Sequence, residues 1–390
     1  MRWRVCIWAV MLCLPFSVLS KPAWASEGGL APEAKSAILM DMDTGTVLYE
    51  KNSNEKLPPA SITKIMTMLL VMEALEQGKI SYHDKVRVSE RAASMGGSQV
   101  YLEPGEVMNL RDMLKAVAVG SANDASVALA EHIAGTEEDF VQMMNRRAEK
   151  LGMKNTRFQN PNGLPADDHY TTAGDIAIMS RELLKHPEIT RFTRIYEDHL
   201  RKESENPFWL VNTNRLVKFY KGMDGLKTGF TAKAKYCLSA TAKRGNLRVI
   251  AVVMGEPDAK ARNREITRMI DYAFNRYTNH VIYRQGQPIS QLPVDKGKKP
   301  IITVRSPQQF SVLVPRGENT ADYQSEIEWK RLVSPVKKGD EIGKIKVIKD
   351  GETVSEMRLI SDEDIPKAGL WLLIKRTTRN MFFLPEEKAV

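Results

Sequence analysis

The sequence predicts a mixed α+β chain: an α/β unit with an antiparallel sheet and a helical subdomain, then a small all-β domain and an amphipathic tail helix. Three observations carry this. Turn-separated apolar runs stand at both ends of the first 280 residues, at 35–49 and 225–254, with helix-like periodicity over 60–190 between them. Short β-branched runs separated by Gly and Asp turns begin near position 287. After Pro366 an aromatic-rich apolar segment is interleaved with Lys375, Arg376 and Arg379.

Length and composition agree. A chain of 390 residues exceeds one ordinary core. Its 43% apolar and 27% charged residues are those of a globular protein. Residues 1–25 read as a signal peptide, with Arg2 and Arg4 ahead of an apolar stretch from Val5 to Leu19 and the small-residue site Ala23-Trp24-Ala25. An uncleaved anchor is the alternative, although the stretch is short for a bilayer span. The formal charge of +9 includes Arg2, Arg4 and Lys21, so the mature chain carries 9 − 3 = +6. That suits an anionic membrane surface or wall polymer. Without basic runs interleaved with aromatics, no nucleic-acid partner is expected. Cys237 is the one cysteine beyond the signal, and it reads as a core residue. The six histidines lack metal-ligand spacing, so neither metal nor cofactor is expected.

Taken in order, Lys35 to Tyr49 reads as a hairpin whose turn, Asp41-Met42-Asp43-Thr44-Gly45, is solvated rather than a calcium loop. Pro58-Pro59 precedes a helix over about 60–77. Further helices are expected at 109–119, 124–134 and 137–151, and a last one at 259–277. Gly225–Thr241 and Leu247–Met254 flank a turn at Lys243-Arg244-Gly245-Asn246. The runs Ile301–Val304, Phe310–Val314 and Lys344–Ile348 suggest a sandwich. The expected division is 1–25, 26–286, 287–365 and 366–390. In the tail, Trp371, Ile374, Thr378, Met381 and Phe382 share a helical face, which fits an interfacial membrane helix. A final strand over Leu370–Ile374 is the competing reading.

Three motifs carry chemistry. In Ser61-Ile62-Thr63-Lys64, residues three apart share a helix face, so the lysine reaches the hydroxyl. A serine needs such a base to act as a nucleophile. S-x-x-K also occurs at Ser53–Lys56 and Ser334–Lys337, but only Lys64 sits among apolar helix residues, where burial lowers its pKa. A lysine snorkelling from a core helix fits the same pattern. Ser121-Ala122-Asn123 lies at an inter-helix break, where Ser121 or Asp124 is equally a helix cap. Read functionally, Ser121 relays a proton and Asn123 holds Lys64 and the substrate backbone. Lys227-Thr228-Gly229 opens an apparently central strand. Lys227 and Thr228 suit a carboxylate, and Gly229 suits the close approach of a ligand backbone. An ordinary turn before a strand is the plain alternative.

Together and in this order the motifs match a known set. The sequence resembles the low-molecular-mass penicillin-binding proteins, serine-type D-alanyl-D-alanine carboxypeptidases, and within them the sporulation-associated form. Pro59-Ala60-Ser61-Ile62-Thr63-Lys64, Gly96-Gly97-Ser98-Gln99, Leu102-Glu103-Pro104-Gly105, Asn160-Pro161-Asn162-Gly163-Leu164 and Asp224-Gly225-Leu226-Lys227-Thr228-Gly229 share in the likeness. The resemblance implies the serine penicillin-binding/β-lactamase-like fold. It implies removal of the terminal D-alanine from peptidoglycan stem peptides through an acyl-enzyme on Ser61, with Lys64 as base and Ser121 and Asn123 as the second pair. Lys227 and Thr228 would bind the carboxylate, and backbone N–H groups of Ser61 and Phe230 would form the oxyanion hole. Some relatives carry histidine at the Phe230 position. Arg262 would approach the carboxylate, with Arg264 as competitor. β-Lactam antibiotics would acylate Ser61, no cofactor is implied, and the protein would work on the outer face of the cytoplasmic membrane. The rivals are an endopeptidase or transpeptidase, a class A β-lactamase (no E-x-x-L-N segment is present) and an inactive wall-binding protein.

Overall fold

A computed structural model describes residues 29–382, so the expected signal peptide lies outside the described residues. A five-stranded antiparallel sheet organises the first unit. Its order is Val47–Lys51, Ser36–Asp41, Leu247–Glu256, Lys235–Arg244 and Met223–Thr231. Successive side chains of a strand point to opposite faces, and both faces are apolar here. Ile38, Met40, Ile250, Val252 and Met254 join the core shared with the helical region. Ala37, Leu39, Val249, Ala251 and Val253 pack with Ile266, Met269, Ile270 and Phe274 of helix Ala259–Arg276. The sheet is therefore the middle of three layers.

The Gly225–Thr241 run is two strands, Met223–Thr231 and Lys235–Arg244, joined by a turn in which Ala234 N–H donates to Thr231 Oγ1. The strand bearing Lys227-Thr228-Gly229 is also not central. It is the sheet edge, with a neighbour on one side only. Periodicity could not reveal this, because its residues from Gly225 to Gly229 are all buried against surrounding elements.

In the helical region the segment after Asn109 is α-helical over Leu110–Lys115 and widens to a π turn over Ala116–Gly120. Such insertions recur at functional sites. This one delivers Ser121 in a left-handed conformation, φ +62°. The next helix, Asn123–Ala134, has no side-chain cap. Asp124 instead accepts from the backbone N–H groups of Val100 (3.0 Å) and Leu102 (3.1 Å), tying the Gly96–Leu102 loop to the helix start.

The second unit wraps three small sheets around one core of Val294, Ile302, Phe310, Val312, Ile345 and Leu359, among others. Its first strand, Tyr277–Tyr283, pairs with Phe310–Pro315, so pairing within this unit starts ahead of position 287. The tail segment is a helix, Leu370–Phe382, not a strand. Arg376 donates to the carbonyls of Gly297 and Lys298, both at 2.7 Å, while Leu370, Trp371, Ile374 and Met381 face outward.

The Asp41–Gly45 turn is not simply solvated. Asp43 accepts from Gln309 Nε2 (2.6 Å), Ser311 Oγ (2.8 Å) and Asn279 Nδ2 (3.2 Å), all from the small domain. Asn279 also donates to buried Asp41 at 3.0 Å. Hydrogen bonds to a charged group contribute about 1.5–3 kcal/mol each, less where water competes. Asp43→Ala therefore uncouples the two units. In calorimetry the variant should melt in two transitions, the small domain first, with D-alanine release from a soluble peptide retained; a single unchanged transition would contradict this role.

Candidate active site

Ser61 lies in a 3₁₀ turn, Ala60–Thr63, that runs directly into helix Lys64–Glu76. Ala60 before it is held at φ +49°, a strained conformation for a residue with a side chain. Two glycines allow this turn its place. A methyl on Gly163 (φ +86°) would stand 1.8 Å from the Ala60 carbonyl oxygen. A methyl on Gly229 would meet Pro59 O at 3.0 Å and Ile62 at 3.1 Å. The space over Gly229 is thus filled by the protein itself, not left for a ligand backbone. Its missing side chain lets the edge strand close on the turn that bears Ser61.

Lys64 is completely buried, flanked by Ile65, Met66 and Met68 at 0% exposure. Its Nζ is 3.0 Å from Ser61 Oγ, 2.6 Å from Asn123 Oδ1 and 2.6 Å from the carbonyl oxygen of Asn162. The Asn123 amide is oriented by its other end, since Nδ2 donates to the Gly96 carbonyl at 2.6 Å. Burial holds the Lys64 pKa well below the ordinary lysine value, the Lys227 charge lowers it further, and Asp124 opposes both. A neutral amine has two N–H groups and one lone pair. Asn123 Oδ1 and Asn162 O can only accept, so they take the two N–H groups. The lone pair is left facing the Ser61 hydroxyl.

Asn162 was not assigned a role from sequence, although its Asn-Pro-Asn-Gly stretch is part of the resemblance. The signal was the glycine. Gly163 packs on Ala60, and that contact carries the preceding carbonyl to Lys64. Ser121 is buried beside Asn123, and its hydroxyl has no hydrogen-bond partner among the described residues, Lys64 included.

Lys227 is buried at the edge strand, its Nζ donating to its neighbour's carbonyl, Thr228 O, at 3.1 Å. Burial and then the Arg262 charge lower its pKa to about 7. Thr228 Oγ1 donates to Thr213 Oγ1 at 2.7 Å. Phe230 follows on the same strand with an exposed ring stacked on Tyr236, centroids 4.4 Å apart. Arg262 is buried and hydrogen-bonds only Asn263 Oδ1 among the described residues, at 3.1 and 3.0 Å. Arg264 points elsewhere and pairs with Glu33, so of the two it is Arg262 whose charge acts on Lys227. Lys64, Lys227 and Arg262 gather positive charge at one end of the cleft, and the Cys237 thiol beneath them is pushed up to about 11 by burial.

A serine with a buried amine, an exposed strand edge and a cationic end constitute an acyl-transfer site for a peptide with a terminal carboxylate. Comparison with known proteins agrees. Residues 24–258 match the family described as D-alanyl-D-alanine carboxypeptidase, and residues 277–367 match the penicillin-binding protein 5 C-terminal domain. The chain is 52% identical over 369 residues to the D-alanyl-D-alanine carboxypeptidase DacF of Bacillus subtilis, covering 94% of this chain and 95% of that one. It is similar to the crystal structure of penicillin-binding protein 5 from Haemophilus influenzae, with 32% identity and a TM-score of 0.67 over 86% of this chain and 98% of that one. It is also similar to penicillin-binding protein D2 of Listeria monocytogenes in its ampicillin-bound form, with 32% identity and a TM-score of 0.57 over 62% of this chain and 98% of that one. The chain belongs to the serine-type D-alanyl-D-alanine carboxypeptidase family.

Proposed function

We propose that Ser61 is the nucleophile and Lys64 the general base of a carboxypeptidase that trims D-alanine from peptidoglycan stem peptides. The observation that carries this is the 3.0 Å contact between Ser61 Oγ and the buried Lys64 amine. Lys64 takes the hydroxyl proton as Ser61 attacks the penultimate D-Ala carbonyl. The negative charge on the carbonyl oxygen meets backbone N–H groups of Ser61 and Phe230, each such donor contributing ~10²–10³ in rate. The C–N bond breaks, D-alanine leaves with a proton relayed by Ser121, and water hydrolyses the ester. Asn123 keeps Lys64 aimed. Lys227, Thr228 and Arg262 receive the terminal carboxylate. Gly229 brings the strand against Ser61. β-Lactams acylate Ser61 by the same steps, as the ampicillin-bound relative supports.

The protein acts outside the cytoplasmic membrane, after removal of residues 1–25, in the catalytic, β and tail segments read from sequence. Support for tail binding to an anionic lipid surface comes from the outward Leu370, Trp371, Ile374 and Met381, with basic residues beside them. No described helix is long and apolar enough to cross a membrane. The likeness to DacF fits the sporulation-associated form.

Three outcomes are expected. Ser61→Ala abolishes D-alanine release from a D-Ala-D-Ala peptide and labelling by fluorescent penicillin together; retained labelling would remove Ser61 from its role. The pH profile of kcat/KM is bell-shaped. It rises as Lys64 loses its proton, within a range well below that of ordinary lysine, and falls near pH 7 as Lys227 becomes neutral. A bound carboxylate favours the Lys227 cation, so the falling limb of kcat lies at higher pH. Initial rates of D-alanine release across the pH range test this, and a kcat/KM still climbing where free lysine titrates would exclude Lys64 as base. Finally, truncation after Ile365 should abolish pelleting with vesicles of anionic lipid, each basic residue near the surface contributing ~1 kcal/mol.

A further inference from the structure

A second, smaller cavity of about 190 Å³ opens beside the site, between the Gly163–His169 loop and the far end of the edge strand. Ala60, Gly163, Asp167, His169, Thr231 and Lys233 are among the residues that line it. Two of these locate it. Ala60 precedes the nucleophile, and Thr231 follows Phe230 on the edge strand.

Resting on the proposed carboxypeptidase reading, the direction of the substrate follows. With its terminal carboxylate at Lys227 and Thr228 and its scissile carbonyl at Ser61 and Phe230, the peptide runs antiparallel to the strand, as an added strand does. The residue preceding D-Ala-D-Ala then comes about 3.3 Å further along, beside Thr231 and Lys233.

The walls say what that residue carries. Asp167 and Lys233 are exposed on the rim, and neither bonds or pairs with another side chain among the described residues. His169 is buried in the wall. Its Nε2 is 3.0 Å from Thr63 Oγ1, and its Nδ1 has no partner. Burial holds its pKa at about 4, so the ring is neutral and offers a hydrogen bond without a charge. A neutral wall with an open polar atom, under one free anion and one free cation, is complementary to a side chain ending in both an ammonium and a carboxylate.

We propose that this cavity is a specificity subsite for the residue preceding D-Ala-D-Ala, and that it takes a zwitterionic amino-acid side chain, the ammonium at Asp167 and the carboxylate at Lys233.

The test compares D-alanine release from two peptides, acetyl-diaminopimelyl-D-Ala-D-Ala and acetyl-norleucyl-D-Ala-D-Ala, by the wild type and by Asp167→Asn/Lys233→Met. Two solvent-exposed ion pairs give a preference in kcat/KM of about three- to tenfold for the zwitterionic peptide. In the double variant the ratio of the two kcat/KM values should fall to about 1. A wild type without preference, or a preference that survives in the double variant, overturns the subsite. Fluorescent penicillin labelling separates the two levels. If the wild type neither labels nor releases D-alanine from either peptide, the carboxypeptidase reading itself fails, and the subsite with it.

Discussion

The burial of one amine governs this molecule. Lys64 sits where its charge is costly, at the start of the most apolar helix of the chain, and three oxygens converge on it. Two of them come from segments far away in sequence. Asn123 arrives at the head of a helix after the π turn, and Asn162 arrives on a loop held down at Gly163. The loop over Gly96 is needed in turn, because its carbonyl orients the Asn123 amide. Much of the helical region thus serves to present acceptors that leave a lone pair toward the serine.

The sheet supplies the other half. Its edge strand offers unpaired backbone to an extended peptide, while two cations, Lys227 and Arg262, lie close together at one end with no carboxylate bonded to either among the described residues. Their mutual repulsion is visible in the depressed Lys227 pKa. An anionic chain terminus relieves that repulsion, so the same feature that selects a carboxypeptidase substrate also drives its binding. An exposed edge is normally an aggregation hazard. The exposed Phe230 ring and the close packing of the Ser61 turn on this strand restrict what can add to it.

Much of this was legible in the sequence because the motifs are local. Ser61 and Lys64 are three apart on one helix, and Lys227, Thr228 and Phe230 share one strand, so spacing alone brings each group together. What sequence could not supply was long-range. The carbonyl of Asn162 is a backbone atom and leaves no mark in the residue type. The strand with Lys227 looked central because its residues are buried on both faces, by a helix and by the Ser61 turn, although its flank is open. Gly229 looked like room for a ligand, but its space is taken by Pro59 and Ile62. Asp43 looked like a hairpin turn residue facing water, because its three partners lie more than two hundred residues away.

That last contact bears on where the enzyme can work. Three hydrogen bonds at Asp43, with the Asp41–Asn279 bond beside them, brace the small domain against the sheet, so the two units do not swing as beads on a string. With the tail helix lying in the lipid surface, a braced stalk converts attachment into altitude. The cleft then samples a thin shell at one height above the bilayer. The newest wall layer, laid down against the membrane, would be trimmed in preference to older material pushed outward, and the selectivity would come from stiffness and length rather than from any contact with the polymer.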